Sequence, residues 1–178
     1  LEAADHVRCL LLRGAGKSFS AGADMVWMKA AADYTREENE EDALALAEML
    51  RKLHGLPMMT MALVHGAAMG GGAGLVAACD LAVAQTGANF RFSEVRLGLT
   101  PATISPFVIE AIGPRWAKAL FVTAESFDAD FAHRIGLVQY VAQDAMEMDK
   151  LVDHLAGLAF STAPGAVRDA KALVDDVK

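Results

Sequence analysis

Apolar positions along the chain fall into two kinds of block. Val7–Leu12 (VRCLLL) is a continuous apolar run that stops at Arg13-Gly14-Ala15-Gly16, the signature of a buried strand leading into a loop. Met59–Val64 (MTMALV), Asp80–Ala84 (DLAVA) and Leu137–Val141 read the same way, while Asn89–Val95 alternates Phe90 and Phe92 with polar residues, as in a half-exposed strand. The other blocks have helical period. Across Glu37–His54, Leu46, Met49, Leu50 and Leu53 form one apolar stripe, acids crowd the first turns, and Arg51, Lys52 and His54 close the other end before Gly55 and Pro57. A turn of helix is expected from Met25, and a short apolar helix over Leu75–Cys79. Pro114–Phe121, Asp128–Ile135, a helix marked by Met148, Leu151, Val152, Leu155 and Ala159, and a last one from Pro164 with Val167, Ala170, Val174 and Val177 on one face complete the series. Strands alternate with helices, so the expected class is α/β with a largely parallel sheet.

Composition adds bounds. The chain has 178 residues, 54% of them hydrophobic, and a formal charge of −7, which fits one folded domain over 1–178 with its C-terminal helical part from about 143 onward. The acidic balance argues against nucleic acid as a partner, because phosphate binding needs clustered Lys and Arg. Cys9 and Cys79 make no disulfide framework and suit a reducing cytoplasm as inert thiols. No Asp, Glu, Lys or Arg occurs between Lys52 and Asp80. Six glycines and Pro57 in that stretch collapse its helix propensity, so a buried strand, a glycine turn and a buried helix are expected there, not a membrane span. The five histidines lack metal-ligand spacing, and Ser20 and Ser105 lack a nucleophile-elbow context.

The glycine cluster admits two readings. Gly72-Ala73-Gly74-Leu75-Val76-Ala77 fits the G-x-G-x-x-A form of the dinucleotide fingerprint, but that motif wants an acid at the end of the next strand, where Gln85 and Thr86 stand. Alternatively, Gly70-Gly71-Gly72 forms a helix N-terminus whose bare N–H groups hold a developing oxyanion, with a second donor from the small-residue loop Ser20–Asp24. The bland reading is close strand-to-helix packing through glycine.

Four segments in this order and spacing resemble the crotonase (enoyl-CoA hydratase/isomerase) superfamily. They are Phe19–Asp24 (FSAGAD), His65–Gly72 (HGAAMGGG), Ala78-Cys79-Asp80, and Phe92–Pro101 (FSEVRLGLTP), followed by Ala111-Ile112-Gly113 and Arg134–Val138. The resemblance runs from about Val7 to the C-terminus. It implies a crotonase (ClpP-like) fold of stacked ββα units, assembly as homotrimers or as hexamers made of two trimers, an acyl-CoA thioester substrate, and no cofactor beyond the CoA that the substrate carries. Against the family the chain looks truncated at both ends, and Leu1 in place of Met suggests a missing start.

By that resemblance the oxyanion donors fall on the backbone N–H groups of Ala23 and Gly71, and the proton-transfer carboxyl falls on Glu94. Ala21, Asp24, Gly70 and Pro101 are implied in substrate binding, and Lys17 is placed to approach a CoA phosphate. Glu94 read without the resemblance is a strand-end acid paired with Arg91 or Arg96. Two positions depart from the family pattern. Its first glutamate falls on Gly74, and the glycines after its proline are replaced by Ala102-Thr103-Ile104-Ser105. The latter segment, with Asp24–Lys29, looks like bacterial methylglutaconyl-CoA hydratases, whose substrate carboxylate calls for a cation such as Arg96 or Lys29. Met25, Met28 and Met69 are acyl-pocket candidates. A hydro-lyase is therefore expected, with a Δ3,Δ2-enoyl-CoA isomerase using Glu94 alone, or a non-catalytic or RNA-binding relative, as the alternatives.

Overall fold

Three successive β–β–α passes build the site. The computed structural model describes residues 6–31 and 33–177. The first pass is β1 (Cys9–Arg13), one extended pairing at Ser20, and α1 (Met25–Ala31), followed by α2 (Arg36–His54). The second is β2 (Met59–Val64), β3 (Ala67–Met69) and α3 (Gly71–Ala78). The third is β4 (Leu81–Gln85), β5 (Asn89–Arg91), a 3-10 turn at Glu94–Leu97, and α4 (Ser105–Thr123). β6 (Phe127–Asp128), α5 (Ala129–Arg134), β7 (Tyr140–Ala142), α6 (Ala145–Phe160) and α7 (Pro164–Asp176) complete the described chain.

First strands of the passes join one sheet in the order β1-β2-β4-β7, all parallel. Second strands join another, in which β3 and β5 run parallel and β6 antiparallel. The large sheet is covered on both faces, which is why its strands read as unbroken apolar runs. On one side Met61, Leu63 and Val83 pack on Met148, Val152 and Leu155 of α6, and the other side belongs to the main core with Leu50, Val76 and Val108.

Local chemistry explains the element ends. Thr35 caps α2 through a reciprocal pair of bonds with Glu38, and the Gly55 N–H returns to the Arg51 carbonyl. α4 is broken at Gly113 (φ 74°, ψ 160°), where Pro114 restarts it, as the sequence expects of Pro114.

Several sequence expectations need correction. The strand read over Asn89–Val95 pairs only to Arg91, because Glu94 turns the chain into the 3-10 segment, whose Gly98 takes the left-handed conformation (φ 73°). Phe90 and Phe92 are fully buried, held by Phe127 and Phe121 at ring separations of 5.3–5.8 Å. The strand expected over Leu137–Val141 forms at Tyr140–Ala142 instead, since Leu137 and Val138 point into the core after α5. In α2 only Leu50 and Leu53 of the stripe are buried. Both cysteines are half-buried, and burial pushes the Cys79 thiol up to about 12, so it stays protonated at neutral pH. No helix among the described residues is long and apolar enough to cross a membrane.

The last helix is held by charge, not by its apolar face. None of its residues is buried. Lys171 Nζ donates to Asp80 Oδ2 at 2.8 Å and to the Met58 carbonyl at 3.1 Å, and the same Asp80 oxygen accepts the Thr60 N–H and hydroxyl. Asp80→Ala strands the fully buried Thr60 donors, so we expect a loss of about 1–3 kcal/mol in denaturant unfolding. A smaller loss is expected from Lys171→Ala, because the Asp80–Thr60 bonds survive it. Equal losses would contradict this ranking.

Candidate active site

The register of the small sheet positions the site. Ser20 pairs with Ala68, and Ala68 with Phe90, so these three residues form one row across parallel segments. Three residues further on, the same step gives Ala23, Gly71 and Ser93, with Glu94 one beyond. Three chain segments therefore leave the sheet at the same end and lie side by side.

Each exit is fixed by its own bonds. The Met69 N–H donates to the Ser20 carbonyl at 3.0 Å and the Ser20 N–H to the Ala67 carbonyl at 2.9 Å. The Gly70 N–H donates to the Arg91 carbonyl at 2.8 Å, with Gly70 at φ 53°, ψ −121°, a conformation that favours glycine. Gly72 is where the first exit touches the second: a Cβ there would lie 2.5 Å from Ser20 Cβ. In front of Gly71 there is open space, with nothing within 4 Å of an added Cβ.

Two N–H donors at this end of the sheet are unpaired among the described residues. Gly71 is the first residue of α3, so its N–H has no intrahelical acceptor, and no acceptor reaches it or the Ala23 N–H among the described residues. The α3 dipole adds positive potential there. Asp24 caps α1 by accepting the Val26 N–H at 2.6 Å and the Trp27 N–H at 3.2 Å, which holds the exposed 21–24 loop in place.

Glu94 supplies the titratable group. Its Oε1 lies 3.4 Å from where a Gly70 Cβ would stand, and its Oε2 is buried without a hydrogen-bond partner. No ion pair to Arg91 or Arg96 occurs among the described residues, so the paired strand-end acid is not what forms. Burial pushes the carboxyl above the usual carboxylate range, partly offset by hydrogen bonds from the Glu94 and Ser93 backbone. A half-buried carboxyl with a raised pKa, at the same end of the small sheet as two free N–H donors, can move a proton at the carbon next to a polarised carbonyl.

Comparison with known proteins gives the family. The sequence profile of the enoyl-CoA hydratase/isomerase family matches residues 1–176. The chain belongs to that family. It is 37% identical over 172 residues to a crotonyl-CoA hydratase of Syntrophomonas wolfei, covering 96% of this chain and 65% of that one. It is also 36% identical over 166 residues to an enoyl-CoA isomerase/hydratase of Mycosarcoma maydis, covering 92% and 59%. A crystal structure of an enoyl-CoA hydratase from Shewanella pealeana superposes with a TM-score of 0.95 at 38% identity, covering 99% of this chain and 65% of that one. Across the curated relatives the chain spans 54–68% of their lengths. The fold is thus the crotonase fold that the motifs imply.

Within this hydratase/isomerase fold the other implied residues separate. Ala21, Asp24 and Gly70 gather with the donors. Pro101 is buried, and its carbonyl accepts the Ser105 N–H at 2.9 Å. Arg96 is exposed on the 3-10 turn. Lys17 is exposed beside Gly66, at the opposite end of the Ser20–Ala68 pairing from Ala23 and Gly71. Met28 and Met69 are half-buried, and the Met25 side chain lies outside the described residues.

The two departures from the family pattern meet. A Cβ on Gly74 would stand 2.2 Å from Ile104 Cγ2 and 2.8 Å from its Cβ. Ile104 is 1% exposed, so it fills the space that a side chain at 74 would need. Residues 30 apart carry no joint signal in the sequence, and only the fold shows them as one exchange. A second grouping the sequence hides is His54, Glu110 and Asp175, whose ligand atoms lie within 4.8 Å of one another. His54 faces both acids in ion-pair range, tying α2 to α4 and α7 beside a cavity of about 390 Å³ that also reaches Cys79 and Lys171.

Proposed function

We propose that the protein adds water across a conjugated enoyl-CoA thioester, with the Ala23 and Gly71 N–H groups as the oxyanion hole and Glu94 as the acid/base. The observation that carries this reading is the shared register, which brings both donors and the buried carboxyl to one end of the small sheet. The donors stabilise the enolate oxygen that develops as water attacks the β-carbon, and the Glu94 carboxyl delivers the α-proton. With one carboxylate, the proton lost by the water returns to Glu94, which leaves the residue unchanged over the cycle.

A branched, carboxylated substrate such as methylglutaconyl-CoA fits the Asp24–Lys29 and Pro101–Ser105 segments, with Arg96 as the cation for its second carboxylate. Homotrimeric or hexameric assembly is part of the same proposal, supported by exposed apolar side chains such as Trp27, Leu97 and Leu99. The isomerase alternative is supported by Ile104 over Gly74, since one base is enough to shuttle a proton between two carbons.

A panel of enoyl-CoA thioesters that includes methylglutaconyl-CoA tests the reading. Loss of the conjugated absorbance with formation of a 3-hydroxyacyl product supports it, with the highest kcat/KM on the carboxylated member. No hydrated product from any member would contradict it.

A further inference from the structure

The last helix, α7, is tied to the rest of the fold by polar side chains. None of its residues is buried, and Lys171 is already held by Asp80 and the Met58 carbonyl. Asp175, four residues on and on the same side, meets His54, the last residue of α2. Glu110 of α4 approaches the same imidazole. Side chains from three helices thus converge, with one ligand atom of each all within 4.8 Å of one another. Phe107, one turn before Glu110, packs its ring on His54 at 5.5 Å and limits the rotation of the imidazole.

Hydrogen bonding accounts poorly for this grouping. His54 Nε2 faces both acids, yet it carries at most one proton. Its distances, 3.4 Å to Asp175 Oδ1 and 3.9 Å to Glu110 Oε2, exceed the range of about 2.7–2.9 Å for charge-assisted bonds. They are closer to the spacing of ligands around one tetrahedral metal ion, about 3.3–3.5 Å for bonds of about 2.0–2.1 Å. Both acids are exposed, so rotation of their side chains closes the rest.

We propose that His54, Glu110 and Asp175 bind a divalent transition metal, zinc by the chemistry of the donors, which fastens α7 to α2 and α4. An imidazole nitrogen with two carboxylates suits zinc, whereas calcium and magnesium take oxygen ligands. Three protein ligands leave the fourth position to water, which reaches it from the adjoining cavity of about 390 Å³. The charge of the ion offsets the two carboxylates brought together at one imidazole. The three ligands share no residue with the site around Glu94, so the role of zinc here is structural.

The test titrates zinc chloride by calorimetry into chelator-treated protein and follows thermal unfolding with and without the metal. One ion per chain is expected, and zinc at about 100 times its dissociation constant should raise the Tm by about 5–10 °C. His54→Ala, Glu110→Gln and Asp175→Asn should each weaken binding at least about tenfold, since even the groups that support metal ligands are worth about 10–100-fold. Changing an exposed histidine on α6, His154→Ala, should leave binding within about twofold. The two amide variants keep their shape at exposed positions, so they decide the matter if His54→Ala does not fold. Hydrogen exchange should show the α7 amides better protected with zinc. The absence of saturable zinc binding, or binding that stays within about twofold in the ligand variants, overturns the proposal. Zinc binding that leaves the exchange of α7 unchanged overturns the fastening role.

Discussion

Glu94→Gln should lower kcat by about 10²–10⁴ while leaving acyl-CoA binding intact, because the amide keeps the shape but moves no proton. Steady-state kinetics with a thioester dissociation constant separates the two effects, and unchanged kcat would remove Glu94 from the chemistry. The same variant has a stability signature whose sign follows from the raised carboxyl pKa. The folded state holds the proton more tightly than the unfolded chain, so the contribution to stability is fully present below the usual carboxylate range. It is lost as pH rises through the raised value in the folded protein. Glu94→Gln abolishes that loss. Thermal unfolding should show the variant gaining on the wild type at neutral pH and losing the advantage in acid. An advantage that grows toward acid would contradict the burial of this carboxyl.

Gly72→Ala is expected to damage activity and stability together. Its methyl would meet Ser20 Cβ at 2.5 Å and Oγ at 2.6 Å, so the 20–24 loop and α3 must separate. Overpacking of this kind costs about 1–3 kcal/mol. A displacement near 1 Å between the two N–H donors is worth about 10² in rate. The informative comparison is kcat at a temperature where circular dichroism shows the variant fully folded. A folded Gly72→Ala protein with wild-type kcat would mean that the spacing of these loops does not matter.

Much of this site was legible in the sequence, for a physical reason. The roles proposed for Ala23 and Gly71 use backbone N–H groups, so their neighbours must be small, and small residues in two loops of fixed spacing are visible as a motif. Glu94 is visible as the acid in Phe92–Pro101. What holds these segments together was harder to read. Ala67-Ala68-Met69 has neither β-branched residues nor alternation, and it becomes a strand only because Ser20 and Asn89–Arg91 flank it. The ββα repeat carries no sequence repeat, since Ser20 supplies its strand by a single pairing. Pro101 and Pro106 hide the first half of α4, although Pro106 stands in the helix's first turn, where proline is tolerated. The stripe on α7 promised a buried face that the structure leaves open, with Lys171 and Asp80 holding the helix instead.

The most direct test of the account is hydrogen exchange at the α-carbon of an acyl-CoA thioester. The protein is incubated with 2-hexenoyl-CoA in D₂O, and deuterium at C2 of the product is followed by proton NMR in the wild type and in Glu94→Gln. In the proposed hydration a solvent-derived deuteron reaches C2 through the enolate held by the Ala23 and Gly71 N–H groups, whereas a transfer of one proton between C2 and C4 leaves C2 without it. The account requires C2 deuteration catalysed by the wild type and lost in Glu94→Gln. Deuteration that continues undiminished in Glu94→Gln, or turnover with none in either protein, would contradict it.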